Sequence, residues 1–322
     1  MREDMGDTAQ KLLYKLKKAE EKRAQWAEND QKRDAGLQEP EHVRKVENIA
    51  YADSETEEEK RWHLADIYYP DQEEAQTDGY PVIISVHGGG WFYGDKELYK
   101  LYTMTLASYG FAVVNFNYRL SPEYPYPAGF SDVCSLVGFV SRNARKYHLD
   151  LDRLFMVGDS AGAQLVSQYC IYAASERYQK LFPFGGQIPT LLPKKIALNC
   201  GIYDLGALFD TDDACDFYVP SVLPKDMAAG FFRVLDYMTA DFPETYLMLS
   251  VNDPLAKDTF PMQRKLQEKG IPFVFKQFGE DNVSDGHVFH LNLRSENAKK
   301  VNREETAFFL EAKQKNNENP FG

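Results

Sequence analysis

Cysteine is scarce in this sequence, occurring four times in 322 residues, at Cys134, Cys170, Cys200 and Cys215. No two are spaced as Cys-x-x-Cys, so neither a zinc ribbon nor a disulfide framework is indicated, and reduced thiols held mostly in the core are expected. Long apolar runs are missing too: nothing approaches the ~18 consecutive apolar residues of a membrane span, so none is expected. The opening residues, Met-Arg-Glu-Asp-Met-Gly-Asp, lack an apolar h-region, so no signal peptide is visible and a cytoplasmic location is expected. Positive charge is in deficit as well. A formal net charge of −12 repels polyanions and argues against nucleic acid or an anionic membrane as partner, leaving a neutral or cationic small molecule as the easier ligand.

What remains is the composition of a globular protein. Apolar residues make up 43% and charged residues 27%, and 21 glycines with 16 prolines are too few for a low-complexity chain. Residues 8 to 35 carry Leu12, Leu13, Leu16, Ala19 and Trp26 among many Lys, Glu and Gln, which predicts one exposed helix with a narrow apolar stripe. The acidic run from Ser54 to Glu59 reads as a solvated turn. From residue 62 onward strands and helices alternate. Strands are expected near 63–69, 81–86, 111–116, 153–157, 195–200, 245–251 and 271–278, with helices at 98–108, 132–148, 161–175, 258–269 and 296–314. That alternation predicts an α/β fold with a doubly wound, mainly parallel sheet and ligands at the carboxyl ends of its strands. Residues 203–240, rich in aromatics and broken by Pro220 and Pro224, interrupt the rhythm and read as an insertion that caps a site.

The stretch Met156-Val-Gly-Asp-Ser160-Ala-Gly-Ala-Gln164 carries the chemistry. A buried strand, a sharp Gly-x-Ser-x-Gly turn and a helix follow one another, the order of a nucleophile elbow, in which the turn exposes the serine hydroxyl above the sheet. Three successive glycines in His87-Gly88-Gly89-Gly90-Trp91, directly after a strand, leave a loop whose N–H groups can turn toward a small anion. In the α/β-hydrolase scheme that loop and the residue after the nucleophile, here Ala161, supply an oxyanion hole. Serine needs a base and the base needs an orienting acid, in the chain order Ser, acid, His. Asp253 closes a predicted strand, and only His287 and His290 follow Ser160, both in the loop before the last helix. His87 reads as a loop-shaping residue. Asp159 is expected to stabilise the turn, and Arg119 and Glu123 to pair with each other.

Together His87-Gly-Gly-Gly-Trp-Phe-Tyr-Gly94, Tyr118-Arg-Leu-Ser-Pro-Glu123, Gly158-Asp-Ser-Ala-Gly162, Asp253-Pro-Leu-Ala-Lys-Asp258 and His287-Val-Phe289 resemble the hormone-sensitive-lipase-like family of α/β-hydrolase esterases, over roughly residues 60 to 315. The resemblance implies a Ser160, Asp253, His287 triad and an oxyanion hole from Gly88, Gly89 and Ala161. It implies a catalytic domain over 46–322, covered by a cap drawn from residues 1–45 and from about 203–240. It also implies a carboxylesterase with no cofactor and no metal, and the tyrosines and phenylalanines of the supposed cap suggest a narrow apolar site for small, short-acyl or aromatic esters. Trp91 leaves room for an amide or formamide hydrolase of arylformamidase type on the same scaffold, and a non-catalytic ligand-binding homologue is the remaining alternative. A homo-oligomer is compatible with the sequence.

Overall fold

A computed structural model describes residues 2–71, 79–181, 191–203, 205, 217, 233–279 and 285–311, with side chains from residue 9 onward. Eight strands form one sheet: β1 (Val43–Ala50), β2 (Leu64–Pro70), β3 (Tyr80–Val86), β4 (Ala112–Phe116), β5 (Leu149–Asp159), β6 (Lys195–Asn199), β7 (Glu244–Ser250) and β8 (Phe273–Phe278). Their spatial order is β1-β2-β4-β3-β5-β6-β7-β8. The β1/β2 and β2/β4 pairs are antiparallel, and every pair from β4 to β8 is parallel.

The parallel strands are near-continuous apolar runs because helices cover both faces of the sheet. Along β5, Leu154 and Met156 enter one core cluster while Phe155 and Val157 enter the other. Among the described residues the helices of eight residues or more are α1 (Arg2–Asp34), α2 (Lys100–Ala107), α3 (Ala128–Asn143), α4 (Ala161–Ala174), α5 (Ala256–Lys269) and α6 (Glu296–Leu310). No helix among the described residues is long and apolar enough to cross a membrane.

Two elements depart from the sequence reading. β1 was not expected, since Arg44, Lys45 and Glu47 leave no apolar alternation; it is a charged edge strand with an irregularity between Val46 and Ile49. Such charge and irregularity suit an edge, where they discourage pairing with another chain. The acidic run forms a single helical turn, Glu57–Lys60, capped by the Thr56 hydroxyl accepting from the Glu59 N–H. Of the expected cap at 203–240, residues 204, 206–216 and 218–232 lie outside the described residues, as does Cys215.

Candidate active site

The elbow joins β5 to α4. Ser160 has φ 51 and ψ −118, a left-handed backbone seldom adopted by a residue with a side chain, and its N–H is held by the Asn199 carbonyl at 2.9 Å. The two flanking glycines are required by proximity. A Cβ on Gly162 would stand 2.1 Å from the Val86 carbonyl oxygen, and one on Gly158 would stand 2.5 Å from that of Gly162. The start of α4 is thereby pressed against the exit of β3, which brings Ser160 beside the glycine loop.

Ser160 Oγ lies 2.9 Å from His287 Nε2, and His287 Nδ1 lies 2.8 Å from Asp253 Oδ2. The remaining Asp253 oxygen accepts from the Leu255 N–H at 2.7 Å. Burial alone would raise the Asp253 carboxyl, but the hydrogen bond from His287, with help from the Leu255 N–H, holds it below its ordinary value and so ionised. Both candidate histidines are placed. His290, the second of them, is fully buried against the Tyr102 ring, burial pushes it down to about 3 so that it stays neutral, and neither of its ring nitrogens makes a hydrogen bond to Ser160.

His87 shapes its loop as expected. Its Nδ1–H donates to the Gly88 carbonyl at 2.7 Å, its ring stacks on Tyr118 at 4.0 Å, and burial lowers it to about 4. Gly89 has φ 104, and a Cβ there would meet the Tyr93 carbonyl at 2.0 Å. Gly88 departs from the sequence expectation. Its N–H donates to Tyr99 Oη at 2.9 Å and is therefore withdrawn from any anion in the cavity. Among the described residues no hydrogen bond takes the N–H of Gly89 or Gly90, so the free donors sit one residue further along.

Tyr99, which no sequence signal marked, in turn donates to Asp159 Oδ2 at 2.7 Å. Asp159 thus ties the elbow to the glycine loop through Tyr99 instead of bracing its own turn, and burial raises its carboxyl to about 7. Nor do Arg119 and Glu123 pair with each other. Arg119 binds Asp132 at 2.7 Å, with Glu59 at 3.7 Å, while Glu123 takes a two-pronged hydrogen bond from Arg23 of α1 at 2.6 and 2.7 Å.

Arg23 also donates to the Phe92 and Ser121 carbonyls, Trp26 packs on Phe92 and Tyr93, and Asp30 accepts from the Tyr93 hydroxyl. Further along, Arg294 donates to the carbonyls of Arg33 and Ala35. So fastened, α1 walls a cavity of about 480 Å³ that reaches Ser160 and His287. Trp26, Leu98, Ile202, Leu255, Val288 and Leu291 give it an apolar lining.

Behind the elbow, Glu305 of α6 is fully buried, accepting from the Tyr102 hydroxyl at 2.8 Å and the Asn199 amide at 2.9 Å. Burial raises its carboxyl to about 7 from an ordinary 4.5. A carboxyl raised in this way supports the fold fully below its unfolded value, and that support is lost as pH climbs through the folded value. Glu305→Gln should therefore gain on the parent chain by about 2 kcal/mol between about pH 5 and about pH 8, read by urea unfolding. A gap that does not widen with pH would mean the buried carboxyl is not the source.

The sheet order, the elbow after β5 and the serine, acid and histidine that follow β5, β7 and β8 define the α/β-hydrolase fold. A sequence profile of the BD-FAE family matches residues 65–209. Esterase LipI of Mycobacterium tuberculosis is 28% identical over 221 residues, covering 63% of this chain and 63% of its own length. Carboxylesterase NlhH of the same species is 36% identical over 100 residues, 31% of this chain and 30% of its own. The crystal structure of esterase B from Lactobacillus rhamnosis superposes with a TM-score of 0.81 at 26% identity, covering 93% of this chain and 95% of that one. The chain is thus similar to esterases of the α/β-hydrolase fold.

Proposed function

We propose that the protein is a serine carboxylesterase acting on small esters through an acyl-enzyme. One observation carries the reading: an unbroken hydrogen-bonded run from Asp253 through His287 to Ser160, with the serine facing the cavity. Ser160 Oγ attacks the ester carbonyl as His287 Nε2 takes its proton, and ionised Asp253 stabilises the imidazolium. The oxyanion is received by the N–H groups of Gly89, Gly90 and Ala161. His287 then hands its proton to the leaving alcohol and activates the water that frees the acid. An apolar cavity of about 480 Å³ suits a short or aromatic acyl group. We read α1 as a wall of that cavity, consistent with a cap contributed by residues 1–45.

The formamidase alternative leaned on Trp91. Its indole N–H is buried and donates to Gln164 at 3.0 Å, a structural use that leaves the ester reading in front. The test compares kcat/KM on p-nitrophenyl acetate with that on N-formylkynurenine, alongside labelling by a fluorophosphonate. Faster turnover of the ester with labelling of Ser160 is expected; a much larger value on the formamide, or no labelling, would overturn the reading.

Tyr99→Phe probes the donor assignment. It removes the hydroxyl that holds the Gly88 N–H and Asp159, so the glycine loop loses its anchor while its free N–H groups remain. The kcat should fall by about 10- to 100-fold, less than the ~10²–10³ seen when an oxyanion donor itself is deleted, with KM within a factor of about 3. Unchanged kcat would show that the loop needs no such anchor.

A further inference from the structure

The mechanism above makes no use of Cys200, although the residue stands directly against it. Cys200 follows β6 with φ 50, in the left-handed region, and is buried. Its sulfur lies beside the Asp253 carboxyl and the backbone N–H groups of Val288 and Ser250. The Cys200 sulfur, an Asp253 oxygen and a His287 ring nitrogen all fall within 4.8 Å of one another, the one such cluster among the described residues with the spacing to hold a metal ion.

One thiol, one imidazole and one carboxylate make a donor set for a borderline or soft cation; Mg²⁺ and Ca²⁺ prefer shells of oxygen. With Zn–S near 2.3 Å and Zn–N or Zn–O near 2.0–2.1 Å, tetrahedral ligand atoms stand about 3.3–3.6 Å apart. The 2.8 Å contact between His287 Nδ1 and Asp253 would have to open by about half an ångström, and the longer separations to close by up to about 1 Å. His287 is the member able to move, since its side chain is 30% exposed and borders the cavity, from which an ion and a fourth, water ligand would come.

We propose that Cys200, Asp253 and His287 form an inhibitory site for a thiophilic divalent cation, Zn²⁺ or Cd²⁺. On binding, the Cys200 thiol releases its proton to solvent. His287 Nδ1 also gives up its proton to bind the ion, and Nε2 takes one from water, so the imidazole stays neutral and one proton is released overall. Nε2 is then a donor and no longer accepts from Ser160. A cation on Nδ1, in place of the hydrogen bond to Asp253, also disfavours the second proton that a general base must carry. Hydrolysis stops although Ser160 is untouched.

Inhibition as a readout rests on the esterase reading, whereas binding does not, so both are measured. The reduced full-length chain is titrated with CdCl₂, ZnCl₂ and, as a control, MgCl₂, following p-nitrophenyl acetate hydrolysis and the near-ultraviolet absorbance of cadmium–thiolate bonds. Cys200→Ala and Cys200→Ser are run in parallel, each scaled to its own metal-free rate. The parent chain should be inhibited reversibly by Zn²⁺ and Cd²⁺ and not by Mg²⁺, and Cys200→Ala should need at least about tenfold more metal. The Cys200-dependent absorbance should vanish in both variants and persist in Ser160→Ala, which keeps all three ligands. Equal metal sensitivity of the parent and Cys200→Ala, or equal absorbance, would overturn the site. Should Cys200→Ala fail to fold, Cys200→Ser gives the same comparison. Cys200-dependent absorbance in a chain that hydrolyses no ester would leave the metal site standing and bring down the esterase reading instead.

Discussion

Ser160→Ala should reduce p-nitrophenyl acetate hydrolysis by about 10⁶-fold in kcat, to the level set by the oxyanion donors and binding alone. The elbow that holds Ser160 is made by backbone and glycine contacts: the Val86 carbonyl pressed on Gly162, the Gly162 carbonyl on Gly158, and the Ser160 N–H on Asn199. None involves the hydroxyl. Its loss removes one hydrogen bond to His287 at a position only 8% exposed, so the thermal midpoint should move by no more than a few degrees. Near-parental activity would dismiss Ser160 as nucleophile, whatever its geometry.

The second large effect separates two histidines three positions apart. His287→Ala should cost about 10⁴- to 10⁶-fold in kcat with modest change in stability, because its ring bridges Ser160 and Asp253 and is partly exposed. His290→Ala should do the reverse. That ring is fully buried, neutral and packed on Tyr102, so truncation leaves a cavity beside Tyr102 and lowers stability by about 2–4 kcal/mol while kcat holds within about tenfold. Steady-state kinetics and urea unfolding on the same preparations give both numbers. A kinetic collapse in His290→Ala with His287→Ala active would exchange the two assignments.

The parallel part of the sheet was legible because strands buried on both faces are written as near-continuous apolar runs, as in β3, β4, β6, β7 and the Leu154–Val157 part of β5. β1 escaped notice because an edge strand buries little, and Val43, Val46 and Ile49 among charges carry no period of two. The placement of Ser160, Asp253 and His287 could be read from their order and from the strand ends they follow. Gly88 could not be, because whether its N–H faces the cavity is decided by Tyr99, a residue on a later segment whose hydroxyl reaches back to it. Long-range partners explain the salt bridges in the same way. Arg119 and Glu123 are close in sequence, yet Arg119 turns to Asp132 on α3, and Glu123 meets Arg23 from a helix a hundred positions earlier.

The fastening of α1 sets a threshold on what the cavity can admit. Arg23 alone makes hydrogen bonds to Phe92, Ser121 and both oxygens of Glu123, while Trp26 and Asp30 grip Phe92 and Tyr93 a little further on. These contacts fall along one stretch of helix and would break together, so partial lifting recovers little room. A ligand that presses on this wall of the cavity must first supply the free energy of peeling the helix away, whereas one that extends through the open mouth need not. Discrimination by size would then appear as a step in kcat/KM with acyl length instead of a gradual decline, and loosening Arg23 would move the step.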